Sequence, residues 1–369
     1  MSAPRPRPNI AALHAYTPGE QPTWADTAHP TRPTVKLNTN ENPYPPADAV
    51  LDAIRGLPAE ALRLYPPPAS DRFRRAAADA HGLTPGHILA TNGGDELLRL
   101  LITCFCDVGD ASGGIGTTDP TYSLYPVLAA THGTTVTAVP RSPNDFTPPP
   151  PEQLAEAWNH AACALAFFVN PHAPSGRLET LGYLEALAER FDGLLVIDEA
   201  YVDFAPRDAI DLVRRRDDVV LLRSLSKGYA LAGLRFGYGI AAPSIIATLD
   251  KARDSYNLDI LAQVAATAAL THRDHAKQSW QAVIEQRRFL TEQLRQRGFA
   301  VLDSYSNFVL ARTSADLPDA EAIYLGLKQR DVLVRYFKTP DLIDRLRITV
   351  GTPEQNQQLI AGLDELLHP

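Results

Sequence analysis

Three short apolar runs determine the fold class: ALAFFV at residues 164–169, LLVI at 194–197 and VVLL at 219–222. Continuous apolar runs of this length are typical of strands that are buried on both faces of a parallel sheet. The segment between the first two runs, residues 178–193, places leucine and phenylalanine at helical spacing and ends at Gly193. A strand, a helix and a strand in this order predict a right-handed crossover. The sequence therefore predicts a doubly wound α/β domain with a mostly parallel sheet.

The two ends of the chain predict a further division. Proline is concentrated near the start, with 10 of the 31 prolines in the first 50 residues, which predicts an extended arm over residues 1–35. We expect this arm to pack on a smaller domain or on a partner subunit, and residues 36–243 to form the large domain. Helical patterns and short strands then alternate in a smaller α+β domain over residues 244–369. The expected helices cover 244–272, 276–297 and a closing segment from Pro353, and the expected strands cover 299–303, 307–312, 332–336 and 346–350.

The composition excludes several classes of protein. The chain has 35 Lys and Arg against 43 Asp and Glu, a net charge of −8, which argues against a nucleic-acid-binding protein. The longest apolar run, residues 161–169, is half the length of a membrane span, and the first ten residues contain no apolar signal segment. Three cysteines and ten histidines show no disulfide framework and no metal-binding spacing. We expect a cytoplasmic enzyme without a metal.

Each apolar run is followed by a polar residue that can carry chemistry. Asn170, Asp198 and Lys227 follow the three runs at separations of 28 and 29 residues. Ligands of open α/β sheets bind outside the carboxyl ends of the strands, so we expect these side chains to share one crevice. An amide, a carboxylate and a lysine in one crevice suggest a carbonyl cofactor held as a Schiff base. Taken singly, the three residues have ordinary alternatives: a turn, a helix cap and a surface charge.

Two further segments suggest that this cofactor carries a phosphate. The stretch SLSKGYALAGLRFGY, residues 224–238, surrounds Lys227 with Ser224, Ser226 and Arg235. Arginine donates two parallel hydrogen bonds to phosphate oxygens. In TNGGDELLRLLI, residues 91–102, a glycine pair leads into a helix that is expected to start near Asp95, and free amides at a helix N-terminus form an anion site.

These motifs resemble those of the fold-type-I pyridoxal-phosphate aminotransferases. The resemblance rests on NPHAPSG at 170–176, DEAYVDF at 198–204 and the lysine–arginine segment at 224–238. It extends over nearly the whole chain, and KLNTNENPYPP near the start and LRITVGT near the end are similar to the histidinol-phosphate branch.

The resemblance implies a role for each residue. Lys227 would form the Schiff base with pyridoxal 5′-phosphate and shuttle a proton, Asp198 would face the pyridine nitrogen, and Tyr201 with Asn170 would bind the 3′-oxygen. We assign Lys227, Asp198 and Tyr201 as catalytic. Tyr122 is expected to lie over the ring. The residues expected to hold the phosphate are Gly94, Asp95, Glu96, Ser224, Ser226 and Arg235. Tyr65 is expected to reach the neighbouring subunit's cofactor in a homodimer.

Substrate recognition is expected to fall to Arg347 in LRITVGT, which resembles the arginine that receives a substrate carboxylate or phosphate. Arg335, Tyr16 and Asn170 are further candidates. Arg335 could equally be a surface residue on an edge strand, and Tyr16 could simply pack the arm. The substrates would be a small-molecule amine and a 2-oxo acid: histidinol phosphate and 2-oxoglutarate, giving imidazole-acetol phosphate and glutamate in histidine biosynthesis.

Some positions depart from the family's pattern, and other functions remain open. His172 stands where asparagine is common, and residues 111–122 (ASGGIGTTDPTY) read as a loop or weakened strand where an apolar strand is expected. An aminotransferase for aromatic or other amino acids, or a decarboxylase of the same fold, would share the cofactor residues. A non-catalytic cofactor-binding regulator is disfavoured, because it would not require all of Lys227, Asp198, Asn170 and Arg235.

Overall fold

The computed structural model describes residues 4–13, 19–21, 34–109 and 113–367. The helices within these ranges are Pro8–Ala11 (α1), Asp48–Arg55 (α2), Ala59–Arg63 (α3), Asp71–His81 (α4), Gly93–Phe105 (α5), Leu124–His132 (α6), Pro151–His160 (α7), Leu181–Arg190 (α8), Ile210–Arg215 (α9), Pro243–Ala252 (α10), Ile260–Thr271 (α11), Arg273–Gln296 (α12), Ala320–Gln329 (α13) and Pro353–Leu367 (α14). The strands are Val35–Lys36 (β1), Ile88–Asn92 (β2), Ile115–Asp119 (β3), Val136–Pro140 (β4), Leu165–Val169 (β5), Leu194–Asp198 (β6), Val219–Ser224 (β7), Phe236–Ile240 (β8), Ala300–Val301 (β9), Phe308–Arg312 (β10), Val332–Leu333 (β11), Arg335–Tyr336 (β12) and Arg345–Thr349 (β13). Along this part of the chain, no helix is both long and apolar enough to cross a bilayer.

A seven-stranded sheet forms the centre of the molecule, with strand order β2-β8-β7-β6-β5-β3-β4. Strands β7, β6, β5, β3 and β4 run parallel, whereas β8 is antiparallel to both of its neighbours. Every residue of β5 and β6 is buried, as the continuous apolar runs predicted. Helices cover both faces, so the expected doubly wound α/β class is confirmed.

A second, four-stranded antiparallel sheet has the order β12-β13-β10-β9 and packs against α12 and α13, and α14 packs on these two helices and on β1 and β11. A short parallel pair, β1 with β11, ties residue 36 to this C-terminal part of the chain. Helices α10 and α11 instead pack on elements around the large sheet, among them α5 and α4. The predicted division between residues 243 and 244 stays a prediction.

The predicted continuous helix over 244–272 is wrong, because the structure has two helices, α10 and α11, in its place. Arg253 leaves the helical conformation with φ −71° and ψ 143°. Asp259 then caps the second helix, its carboxylate accepting a 2.8 Å hydrogen bond from the Ala262 amide.

Of the two interpretations of residues 111–122, the loop is wrong for residues 115–119, which form strand β3 and are buried except for Asp119. Gly116 lets the Trp158 ring pack directly on the strand, because a Cβ at this position would lie 2.7 Å from the indole. The Thr118 hydroxyl accepts a 2.8 Å hydrogen bond from Arg141 Nε, and this buried hydroxyl therefore has a polar partner. Threonines with polar partners therefore serve here in place of the expected apolar run.

The N-terminal segment has partners within its own chain. The expectation of an extended arm is wrong at residues 8–11, which form the short helix α1, and the Asn9 side-chain amide donates a 2.8 Å hydrogen bond to the Ala130 carbonyl on α6. Glu20 pairs with Lys328 on α13 at 2.8 Å. The expected packing of the arm on a partner subunit stays a prediction.

Candidate active site

The ends of β5, β6 and β7 bring the predicted polar residues to one edge of the sheet. Val169 and Asp198 are paired in register, and the Asn170 amide donates a 2.8 Å hydrogen bond to the Asp198 carbonyl. Lys227 lies three residues beyond the end of β7. The three residues therefore follow neighbouring strands at one edge of the sheet, and the crevice itself stays a prediction.

The Asp198 carboxylate is buried, with 4% of the residue exposed. Its Oδ2 accepts a 2.7 Å hydrogen bond from the Tyr125 hydroxyl, and its Oδ1 accepts one of 3.0 Å from the Ala200 amide. Burial raises the pKa of Asp198 to about 6, although both hydrogen bonds favour the charged form. This carboxylate is poised to pair with a cationic ring nitrogen.

Asn170 and Tyr201 are fixed by different parts of the chain. The Asn170 Oδ1 accepts a 2.8 Å hydrogen bond from the Glu179 amide, which orients the side chain. The Tyr201 hydroxyl accepts a 3.0 Å hydrogen bond from Asn40 Nδ2, and its ring stands edge-on to Phe308 at 5.1 Å. The two side chains have defined orientations at the strand ends, as a binding role requires.

Lys227 is a partly buried lysine whose Nζ donates a 2.9 Å hydrogen bond to the Thr39 carbonyl. Burial lowers the pKa of Lys227 to about 8, Glu41 opposes this shift, and the charges of Arg347, Lys36 and Arg235 add to it. At pH 7 about a tenth of such a lysine is neutral, compared with well under a thousandth for an exposed one. The amine is therefore activated as a nucleophile and as a base.

A group of donors suited to a phosphate lies beside this lysine. Arg235 Nη1 donates to Ser226 Oγ at 3.3 Å, and its Nη2 lies 3.5 Å from the Asp95 carboxylate. Ser224 Oγ accepts a 3.1 Å hydrogen bond from the Ser226 amide. Gly93, with φ +73°, starts α5 and allows this close approach, because a Cβ there would lie 2.8 Å from Arg235 Nη2.

The N-terminus of α5 corrects one sequence expectation, because the helix begins at Gly93 rather than near Asp95. The Glu96 carboxylate accepts hydrogen bonds from the Asn92 amide and, at 2.9 Å, from Asn257 Nδ2. Of the predicted phosphate-binding residues on this helix, Gly94 packs on Leu222, and a Cβ at Gly94 would lie 3.1 Å from that side chain. At these positions the backbone amides, and not the side chains, are therefore the groups that can bind an anion.

Tyr122 lies beside the same crevice. Its hydroxyl donates a 3.5 Å hydrogen bond to Asp95, and its ring stands perpendicular to that of Tyr125 at 5.6 Å. Tyr125 is fully buried and stacks on Phe167 at 4.7 Å. The tyrosine predicted over the cofactor ring is therefore supported from behind by the tyrosine that binds Asp198.

The two predicted substrate arginines are neighbours on the four-stranded sheet. Arg335 on β12 is paired in register with Arg347 on β13. Arg347 Nη2 donates a 3.2 Å hydrogen bond to the Asn38 carbonyl, and both guanidinium groups lie over the Phe337 ring, at 5.2 Å for Arg335 and 5.5 Å for Arg347. Two cationic groups therefore lie side by side, the arrangement that favours a dianion.

The remaining predicted residues lie elsewhere. Tyr65 is 80% exposed and stacks on Tyr256 of the same chain at 4.4 Å. Tyr16 lies outside the described residues. In the described part of the chain, no cluster of histidine, cysteine or acidic side chains could hold a metal ion.

Residues to which the sequence assigned no role also shape the site. They come from the segment at 36–42 and from Tyr125. Asn40 contacts Tyr201, Thr39 accepts from Lys227, and the Lys36 ammonium pairs with Glu41. Burial alone would raise the pKa of Glu41, but hydrogen bonds from Lys36 and Thr39 lower it. The asparagine-rich pattern of this segment was the only local signal.

Comparison with known proteins gives one consistent result. The family model for aminotransferases of class I and II matches residues 32–363. A histidinol-phosphate aminotransferase from Citrifermentans bemidjiense is 43% identical over 360 residues, 98% of each chain, and one from Trichormus variabilis is 40% identical over 361 residues, also 98% of each chain. Among solved structures, histidinol-phosphate aminotransferase from Sinorhizobium meliloti in complex with pyridoxal-5′-phosphate superimposes with a TM-score of 0.88 at 27% identity, covering 99% of this chain and 98% of that one.

Proposed function

We propose, from the premise that the chain belongs to the class I and II aminotransferase family, that it transfers the amino group of histidinol phosphate to 2-oxoglutarate. The products would be imidazole-acetol phosphate and glutamate, a step in histidine biosynthesis. The chain is a pyridoxal-phosphate-dependent aminotransferase. Substrate identity is the part we propose, and curated relatives over the full length of the chain support it.

The residues present fit pyridoxal phosphate. The serine and arginine donors around residue 235 suit its phosphate, the Asp198 carboxylate suits its ring nitrogen, and Lys227 offers an amine for its aldehyde. Asn170 and Tyr201 would bind its 3′-oxygen and Tyr122 would cover its ring. When bound, the cofactor supplies a carbonyl group that accepts the amino group and a ring that accepts an electron pair.

The chain's own residues supply the proton transfers and the binding. Lys227 Nζ, with its lowered pKa, would take a proton from the α-carbon of the substrate and deliver it to the aldehyde carbon of the cofactor. Asp198 would hold the ring nitrogen in its cationic form by charge pairing. Asn40, which donates to Tyr201, would keep the tyrosine hydroxyl turned toward the 3′-oxygen.

One observation carries this proposal: the charges of two arginines from different parts of the fold act on the amine of Lys227. Arg235, directly before β8, and Arg347, on β13, both lower the pKa of Lys227. One arginine would serve the phosphate of the cofactor and the other the anionic end of the substrate. Glutamate and histidinol phosphate must use one site in turn, and the planar guanidinium matches carboxylate and phosphate oxygens alike.

We further propose that the active enzyme is a homodimer in which Tyr65 reaches the neighbouring subunit. An apolar surface supports this, formed by exposed side chains of α2, α3 and the start of α11 with the residues between: Leu51, Leu62, Leu64, Tyr65, Tyr256 and Leu261. Tyr65 and Tyr256 of this set stack on each other, and exposed apolar side chains that cluster are typical of protein interfaces. A cytoplasmic location stays a prediction.

The substrate test compares kcat/KM for histidinol phosphate, unphosphorylated histidinol and phenylalanine, each with 2-oxoglutarate. We expect histidinol phosphate to be preferred. A charge-assisted hydrogen bond contributes roughly 1.5–3 kcal/mol, so Arg347→Ala should weaken both half-reactions more than tenfold. Arg335→Ala should affect histidinol phosphate more than glutamate.

The matched control is Arg312→Ala, on the neighbouring strand β10, where the guanidinium pairs with Asp344. It should leave both half-reactions unchanged. If phenylalanine is preferred and the phosphate makes no difference, an aromatic aminotransferase replaces this proposal. Release of carbon dioxide from amino acids would instead indicate the decarboxylase.

A further inference from the structure

His172 occupies the loop that follows Asn170, and it is buried with 1% of its surface exposed. Both of its ring nitrogens have partners. Nε2 lies 2.8 Å from the Pro120 carbonyl oxygen, and Nδ1 lies 2.8 Å from Ser175 Oγ. A histidine that lies in a cofactor loop and contacts a second segment of the site differs from a simple loop residue.

The hydrogen-bond partners determine which nitrogen carries the proton. A carbonyl oxygen only accepts, so Nε2 must donate to Pro120. Ser175 Oγ already accepts a 3.2 Å hydrogen bond from the Arg177 amide, which leaves its hydroxyl proton free to be donated to Nδ1. The result is one directional chain, from the Arg177 amide through Ser175 and His172 to Pro120.

The electrostatic surroundings agree with a neutral ring. Burial lowers the pKa of His172 well below its usual range, and the positive charges of Arg141 and Arg177 lower it further. The neutral imidazole therefore carries its single proton on Nε2 near neutral pH.

This histidine joins two parts of the proposed cofactor site. Pro120 stands two residues before Tyr122, the side chain expected over the ring face. His172 stands two residues after Asn170, whose amide is expected at the 3′-oxygen. The Nε2–Pro120 hydrogen bond is a direct polar link between the loop after β5 and the loop after β3.

We propose that His172 is a positioning residue that fixes Tyr122 relative to Asn170 through its Nε2–H tautomer. The inference rests on the proposed function insofar as these two residues bind the cofactor. Asparagine at this position offers a side chain too short to bond both partners, so the histidine supplies a connection that the common residue lacks.

Two substitutions separate the two hydrogen bonds. The amide nitrogen of glutamine reaches about as far as Nε2, so His172→Gln keeps a donor for Pro120. The amide oxygen of asparagine lies about where Nδ1 lies, so His172→Asn keeps an acceptor for Ser175 and loses the donor. Both variants remove the aromatic ring, but glutamine fills more of the buried space than asparagine does. His172→Leu, which has a volume close to that of glutamine and no donor, is therefore the packing control, and we expect it to bind the cofactor as weakly as His172→Asn.

The readout is the dissociation constant of pyridoxal phosphate from the cofactor-free protein, measured by absorbance titration. An unsatisfied buried acceptor is costly, so we expect His172→Asn to bind the cofactor roughly tenfold or more weakly, while His172→Gln stays within about threefold of the parent. In turnover, the asparagine variant should lose kcat as well as cofactor affinity. His81→Gln is the control, because His81 is a buried histidine that contacts the Tyr238 hydroxyl outside the site; it should leave cofactor binding unchanged.

A second measurement determines the tautomer of His172 in the parent protein itself. Nitrogen-15 NMR of histidine-labelled, cofactor-free parent protein should show a neutral His172 with the proton on Nε2, its signal identified by its loss in either variant. A proton on Nδ1, or a cationic ring at pH 7, would overturn the inference. So would equal weakening in the two variants, or better binding in the asparagine variant. Failure of the parent to bind pyridoxal phosphate at all would refute the proposed function and leave the tautomer result standing.

Discussion

The burial of Lys227 predicts that the cofactor-free protein is less stable at neutral pH than it would be without this charge. The amine has a folded-state pKa of about 8, compared with 10.5 for an ordinary lysine, chiefly because burial disfavours its charged form. A drop of this size corresponds to about 3 kcal/mol of free energy. We expect Lys227→Met, which keeps most of the volume and removes the charge, to have a higher free energy of unfolding at pH 7.

The free energy of unfolding depends on pH because Lys227 loses its proton at a lower pH in the folded state than in the unfolded state. Below pH 8 the lysine is protonated in both the folded and the unfolded state, and the full penalty is present. Between pH 8 and 10.5 the unfolded state binds more protons, so the stability of the parent rises with pH. The methionine variant also loses the hydrogen bond to the Thr39 carbonyl, which offsets roughly 1 kcal/mol of its gain. The expected advantage is therefore about 2 kcal/mol at pH 7, shrinking to nothing near pH 10 and becoming a deficit of roughly 1 kcal/mol above pH 10.5.

The assay is urea unfolding of the cofactor-free proteins at one protein concentration, at pH values from 7 to 10. Lys251→Met, at an exposed position on α10, is the matched control and should show no pH-dependent difference from the parent. A methionine variant that is no more stable than the parent at pH 7 would refute the reasoning. A stability difference that does not change between pH 7 and 10 would refute it equally.

Two further predictions concern the cofactor and the dimer. Burial raises the pKa of Asp198 to about 6, and the carboxyl must lose its proton to pair with the ring nitrogen, so the cofactor affinity of the parent should fall as the pH drops below 6. In the same titration Asp198→Asn should bind the cofactor weakly at every pH. If the variant and the parent show parallel pH profiles, the carboxylate that pairs with the ring lies elsewhere. Mixing inactive Tyr65→Phe and Lys227→Ala subunits under conditions of subunit exchange should restore activity by forming one intact site per heterodimer, whereas a monomer in analytical ultracentrifugation would exclude a shared site.

The large sheet and the residues at its strand ends could be predicted because their signals are local. A strand buried on both faces must be apolar along its length, and the first polar residue then marks its carboxyl end. Asn170 and Asp198 were found in this way, and the structure places both at the same edge. Lys227 was found from the polar stretch that follows the third run.

The failures arise where a local pattern has its cause in a distant partner. Gly116 reads as a strand breaker, but its missing side chain makes room for Trp158, 42 residues later in the chain. Residues 253–259 separate two helices, and Asn257 in this stretch donates to the Glu96 carboxylate and to the Ala90 carbonyl. This stretch, RDSYNLD, also contains turn-forming residues and the capping Asp259, so the break has a local signal as well as a distant partner.

The segment at residues 36–42 shows the same limit at the site itself, and it explains how the two sheets come to act on one amine. Asn40 donates through its side chain to Tyr201 at the end of the large sheet, while its backbone amide donates to Thr349 Oγ1 on the small one, 309 residues away. Between these contacts the Thr39 carbonyl accepts from Lys227. Arg347 belongs to the small sheet and Arg235 lies directly before β8 of the large one, and this segment joins the two sheets. The proposed coupling of a cofactor anion site to a substrate anion site is thus built by a short polar segment, in which each residue has an unremarkable identity and a partner far away in sequence.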